Sequence, residues 1–150
     1  MGSSYLSSDI IAAFLYAQLQ NIDKINNKRL EIWDEYHQFF ENYEKEGLIN
    51  RPIVPPNCTH NAHMYYITCK NLQKRSEFIA YLKENGINPV FHYIPLHSSP
   101  AGIKFAKTVG DMPITNQVAD TLVQMLLFYG LCDEDMRYIK SVVKRFFEKF

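Results

Sequence analysis

Between Gly2 and Gly47 the chain contains neither proline nor glycine, and this uninterrupted stretch constrains the fold more than any other feature. Apolar residues recur through it at helical spacing, at Ile11, Leu15, Leu19, Ile22 and Ile25, then at Ile32, Trp33, Tyr36, Phe39 and Phe40. Ser8 is a suitable N-cap, with Asp9 placed against the positive helix end. The pattern predicts one long helix from Ser8 to Gly47, about 55 Å at 1.5 Å per residue. Its two halves differ. From Asn21 to Glu46 charged residues such as Asp23, Lys28, Glu31 and Asp34 mark a wet side. From Ile10 to Leu19 the helix is apolar nearly all round, so it should be buried on every side. It is either a core helix of this domain or a helix that packs against protein outside this chain.

Beyond Gly47, Arg51-Pro52-Ile53-Val54-Pro55-Pro56-Asn57 reads as an extended connector, because residues before proline are pushed out of the α region. Met64–Cys69 is rich in β-branched and aromatic types and predicts a strand. Arg75–Asn85 predicts an amphipathic helix closed by Asn85-Gly86. A second strand is expected at Pro89–Tyr93, then a loop and short-helix region from Pro95 to Met112. A helix over Ile114–Val123, with Thr115 and Asn116 as candidate caps, leads to a third strand at Met125–Tyr129. The last helix, Asp133–Phe150, begins acidic and ends basic, matching its dipole. Strands separated by helices in a chain of 150 residues predict an α/β (α+β) domain, a small sheet of about three strands covered by helices. The division expected is 1–47 as a long linking helix and 48–150 as the small α/β domain.

Hydrophobic residues make up 47% of the chain, which is a globular composition. The 16 basic and 16 acidic residues cancel, leaving no electrostatic footprint for nucleic acid or an anionic membrane surface. No apolar run reaches the roughly 18 residues a bilayer requires, and no secretory leader is visible. Three cysteines, Cys58, Cys69 and Cys132, fit a reducing cytoplasm better than a disulfide framework.

The densest polar-aromatic cluster is Phe91-His92-Tyr93-Ile94-Pro95-Leu96-His97-Ser98-Ser99-Pro100. Two histidines and a tyrosine at a strand end form either a ligand edge, able to donate to sugar hydroxyls or phosphate, or a loop satisfied by its own backbone. A second histidine pair, in Cys58-Thr59-His60-Asn61-Ala62-His63, lacks zinc-ligand spacing. No serine elbow, papain-like cysteine context or glycine-rich phosphate loop is present.

Three strings resemble the DegT-type sugar aminotransferases: the opening Gly2-Ser3-Ser4-Tyr5-Leu6, the strand start Asn61-Ala62-His63-Met64, and Phe91-His92-Tyr93-Ile94-Pro95-Leu96-His97-Ser98-Ser99-Pro100-Ala101-Gly102. The resemblance runs from Gly2 to the terminal helix, and Leu126 departs from it where proline is usual. It implies the small C-terminal domain of a fold-type-I aminotransferase. The implied reaction moves an amino group, with glutamate as donor, onto a dTDP-linked 4-keto-6-deoxy sugar in surface polysaccharide synthesis, with pyridoxal phosphate as cofactor of the full-length enzyme. It also implies substrate contacts for His92, Tyr93 and His97, and a cofactor-phosphate contact for Ser4, where the wider family has asparagine. His63, at the Ala62-His63-Met64 strand start, is structural on this reading. The family's Schiff-base lysine lies upstream of residue 2, and no lysine here stands in its context, so no catalytic residue is assigned. This chain alone is then expected to bind no cofactor and to be inactive. Ile10, Ile11, Phe14, Leu15 and Leu19 are expected to seek cover from the missing large domain or from a second copy. The competing expectation is a non-catalytic oligomerisation or binding module that docks through this apolar helix.

Overall fold

The computed structural model describes residues 5–149. Helix α1 spans Asp9–Leu19, with the Ser8 hydroxyl accepting from the Ile11 amide. The expected continuous helix is interrupted twice. At Asn21 the backbone leaves the α region, and the Asn21 amide side chain donates to the Ala17 carbonyl at 3.1 Å. Helix α2, Ile22–Phe39, is followed after Phe40 by the short α3, Glu41–Lys45. The amide of Gly47, at φ 68°, donates to the Glu44 carbonyl and that of Leu48 to Tyr43, so α3 ends in a left-handed cap.

Strand β1 is only Ile49–Asn50, β2 is Tyr65–Cys69 and β3 is Leu122–Met125. They form one antiparallel sheet in the order β1-β2-β3, with Ile49 opposite Cys69 and Tyr65 opposite Met125. Between β2 and β3 lie α4 (Leu72–Glu84), a 3-10 turn (Leu96–Ser98), α5 (Pro100–Phe105) and α6 (Pro113–Thr121). Helix α7, Asp133–Lys149, closes the described chain. Helices over a small antiparallel sheet confirm the α/β (α+β) expectation.

Three local expectations need correction. Pro89–Tyr93 forms no strand but a single bridge between Val90 and Gln124. The third strand lies three residues earlier than expected, because α6 ends at Thr121 and Leu122 is already extended, ψ 134°. Helix α4 starts at Leu72, where Asn71 accepts from the Lys74 amide at 2.8 Å.

The core is aromatic. Tyr65 stacks on Tyr36 at 5.2 Å and on Phe40 at 5.9 Å between centroids, and the Tyr36 hydroxyl donates to the Leu126 carbonyl at 3.0 Å. Ile32, Trp33, Tyr36 and Phe40 therefore share one core with Phe78 and Leu82 of α4 and with Val142, Val143 and Phe146 of α7. Helix α1 has no part in it. None of its residues is buried, and Ile10 and Phe14 are 73% and 72% exposed. Of the two alternatives for this stretch, a core helix of this domain is overturned within the chain.

Candidate functional site

Val90 is the point where the segment after α4 touches the sheet: its amide donates to the Gln124 carbonyl, and the Gln124 amide returns the bond at 2.7 Å. The segment makes this single bridge and then departs from the sheet. That departure presents Phe91, His92 and Tyr93 at the end of β3. The 3-10 turn follows, held by the Ser98 and Ser99 amides on the Pro95 carbonyl. Ser99 then caps α5, its hydroxyl accepting from the Gly102 amide at 3.0 Å and donating to the Leu96 carbonyl at 2.9 Å.

Two grooves flank Tyr93-Ile94-Pro95. One of about 450 Å³ runs between His92, Tyr93 and Leu96 on one wall and Ile114, Val118 and Leu122 on the other. The second, about 380 Å³, adds Arg75, Phe91, Ser98, Asn116 and Asp120. Tyr93 is exposed, and its ring meets that of half-buried His92 at 4.9 Å. The His92 Nδ1 is buried with no partner. Arg75 donates through Nη1 to the Ala119 carbonyl at 2.9 Å and lies over the Phe91 ring at 5.2 Å.

Of the residues singled out from the sequence, His92 and Tyr93 are brought together in the wall of the larger groove. His97 stands behind them, half-buried, and joins the site through Asn116: His97 Nε2 lies 2.8 Å from Asn116 Oδ1. Ser4 lies outside the described residues. Asn116 is the participant that sequence reading missed, having been expected as a helix cap. The N-cap is Met112 at φ 46°, with Pro113 in the first turn. Pro113 was a legible start signal, but nothing in the sequence tied Asn116 to His97.

Of the second histidine pair, the His60 ring takes part in packing, and His63 is exposed. His60 Nδ1 accepts from the Ala62 amide at 3.2 Å and packs against Trp33 at 4.6 Å. Arg29 donates to the carbonyls of Ala62 and His63. Among the described residues no group of three or more His, Cys, Asp or Glu side chains is placed to hold a metal. Burial pushes the Cys69 thiol up to about 12, against thiolate formation.

Pyridoxal phosphate requires a lysine amine for its Schiff base and a carboxylate facing its pyridine nitrogen. The wall of the larger groove carries no lysine and no carboxylate, and the second offers Asp120 but no lysine. Neither of these two grooves pairs a lysine with a carboxylate.

A profile of the DegT/DnrJ/EryC1/StrS aminotransferase family matches residues 1–144. The chain belongs to that family. It is 31% identical over 148 residues to an uncharacterised protein of Methanocaldococcus jannaschii, covering 96% of this chain and 38% of that relative. It is 26% identical to the dTDP-3-amino-3,6-dideoxy-alpha-D-galactopyranose transaminase of Aneurinibacillus thermoaerophilus, over 92% of this chain and 36% of the relative. Among solved structures, the aminotransferase TlmJ of Streptoalloteichus hindustanus superimposes with a TM-score of 0.83 at 21% identity, over 96% of this chain and 37% of that one. The chain thus spans well under half the length of these family members, and the likeness to the solved structure establishes the fold.

Proposed function

We propose that this chain is the C-terminal part of a pyridoxal-phosphate-dependent sugar aminotransferase. Its whole enzyme would move an amino group from glutamate to C4 of a dTDP-linked 4-keto-6-deoxy sugar, as a dTDP-4-amino-4,6-dideoxygalactose transaminase of surface polysaccharide synthesis does. Such an enzyme works in the cytoplasm. The observation that carries this reading is the Phe91–Gly102 segment, which folds into the wall of a groove with His92 and Tyr93 side by side at its edge. That wall is largely apolar with a few convergent polar groups, the usual make-up of a small-molecule site.

On this reading His92, Tyr93 and His97 meet the sugar nucleotide, and Ser4 reaches toward the cofactor phosphate. Residues 1–47 link the domain of residues 48–150 to a larger, lysine-bearing domain, which α1 faces and which α2 anchors through its buried side. The chain alone neither forms the Schiff base nor transaminates. The test has two arms. Titration of the isotopically labelled chain with dTDP should shift the His92 and His97 ring resonances, and unmoved rings in the folded chain would overturn the site. Added pyridoxal phosphate should leave no borohydride-fixed adduct, whereas a stoichiometric adduct on one lysine would overturn the inactivity.

The exposed apolar residues of α1 favour a second reading, a non-catalytic module that docks or self-associates through Ile10, Ile11, Phe14, Leu15 and Leu19. A chain that stays indifferent to dTDP yet dimerises through these residues would support it.

A further inference from the structure

We propose that Asn116 is a positioning residue of this site: it fixes the orientation and the tautomer of His97, so that Nδ1 is the ring nitrogen presented to a ligand. The proposal rests on the reading that His97 belongs to a sugar-nucleotide edge, but its first half stands on geometry alone.

The argument begins with the amide. A primary amide offers one acceptor oxygen and one donor nitrogen, and which end faces a neighbour is decided by the surrounding hydrogen bonds. The Asn116 nitrogen, Nδ2, lies 2.9 Å from the carbonyl of Asp111, and a carbonyl only accepts. Nδ2 must therefore point at Asp111, and Oδ1 is the atom that faces His97 at 2.8 Å. An amide oxygen only accepts, so His97 Nε2 carries the hydrogen. In the neutral ring, Nδ1 is then the unprotonated nitrogen with its lone pair free.

Three further features fix this arrangement. The Asp111 carbonyl is aimed by a left-handed turn, Gly110 at φ 75° and Met112 at φ 46°. The Asn116 backbone N–H donates to the Met112 carbonyl at 3.0 Å, which holds the residue in the first turn of α6. His97 lies in the 3-10 turn that Ser98 and Ser99 close on Pro95. His97 Nδ1, by contrast, makes no hydrogen bond among the described residues and is not fully buried.

The same bond spans the site. Leu96 and Pro95 line one wall of the larger groove and Ile114 and Val118 of α6 the other, and His97–Asn116 joins the two elements by side chains. A neutral acceptor is suited to this, because both the neutral ring with hydrogen on Nε2 and the protonated ring donate to it. Protonation of Nδ1 leaves the link in place while converting that nitrogen from an acceptor for a sugar hydroxyl into a donor for phosphate.

The tautomer is read directly from long-range proton–nitrogen correlation spectra of the folded chain, above the pH at which its histidines protonate. The expected result is His97 with Nε2 in the protonated range and Nδ1 in the unprotonated range. In Asn116→Ala, both nitrogens should move to averaged positions while the dispersion of the remaining amides is kept. Wild-type His97 with hydrogen on Nδ1, or in averaged exchange, overturns the proposal without recourse to any variant. So does Asn116→Ala if it retains the fixed tautomer. Addition of dTDP separates the proposal from the function on which it rests. A response concentrated on Nδ1 supports both, and a fixed tautomer with no response overturns the ligand role while Asn116 keeps its hold on the ring.

Discussion

At position 102 there is no room for a side chain. A Cβ on Gly102 would lie 1.6 Å from the Leu96 carbonyl oxygen and 3.0 Å from Ser99 Oγ, and the first of these is backbone that cannot swing aside. Gly102→Ala is expected to open the turn that carries His97, at a cost of about 1–3 kcal/mol for the forced shift. A drop in thermal midpoint, accompanied by loss of the fixed His97 ring signals, checks this. An alanine variant with both unchanged would show that the turn is not held as described. The requirement is tertiary in origin: in sequence, Pro100-Ala101-Gly102 reads only as punctuation, and the approach of Leu96 appears once the chain has turned back on itself. That His92 and Tyr93 stand together was legible from their adjacency in a polar-aromatic cluster. Asn116 was not, because asparagine near a helix start reads first as a cap.

Among the elements, the junction of α2, α3 and β1 is where charge and burial meet. Arg51 donates through Nε to Glu44 at 2.7 Å, through its backbone amide to the same carboxylate, and through Nη1 to the His37 carbonyl at 2.6 Å. Burial acts to raise the Glu44 carboxyl, but the hydrogen bonds and charge of Arg51 outweigh it and hold the group below its ordinary value. Burial, then the Arg51 charge, lower His37, and Glu44, Asp34 and Glu41 pull the other way without overcoming them. Both shifts have the same sign for stability. Each group binds its proton more readily in the unfolded chain, so stability is present above the ordinary value of each and is lost as pH falls. The loss should begin below the ordinary histidine value of 6.5 and deepen below the ordinary glutamate value of 4.5. Thermal midpoints measured from pH 7 to pH 3 check it: His37→Gln should flatten the upper part of the decline and Glu44→Gln the lower. A wild-type midpoint that rises toward acid would contradict the assignment.

The same scale shows where the sequence ran out. Helix α7 and strand β2 were legible from periodicity and composition. The break at Asn21 was not, because it needs neither glycine nor proline. The α6–β3 junction was not either, because Thr121-Leu122-Val123-Gln124-Met125-Leu126-Leu127-Phe128 offers no turn residue to mark the change. Pairing with β2 selects Leu122–Met125 from that apolar run, which is a long-range choice.

For the whole molecule, the decisive feature is a helix with no core to join. Ile10, Ile11, Phe14, Leu15, Tyr16 and Leu19 are all at least half exposed, and covering one large apolar side chain contributes roughly 1.5–3 kcal/mol. Without a larger domain to cover it, a second copy provides the nearest apolar surface. Two α1 helices in an isologous pair would each bury part of the face. Sedimentation equilibrium at micromolar concentration should therefore show a dimer that Phe14→Glu with Leu15→Glu converts to monomer. A clean wild-type monomer would overturn the pairing. Among the described residues no helix is long and apolar enough to cross a membrane.

The chain has a single tryptophan, Trp33, only 7% exposed, with the His37 ring stacked on it at 4.5 Å and the His60 ring at 4.6 Å. Its fluorescence is therefore an optical signal from one corner, where α2 meets β2 and the loop before it. Neither groove wall contributes an indole, so that emission is blind to them. Unfolding followed by tryptophan emission would report the loss of the aromatic core. Histidine resonances from the loop would report the groove, and a difference between the two transitions would measure how far the site can come apart while the domain beneath it stays folded.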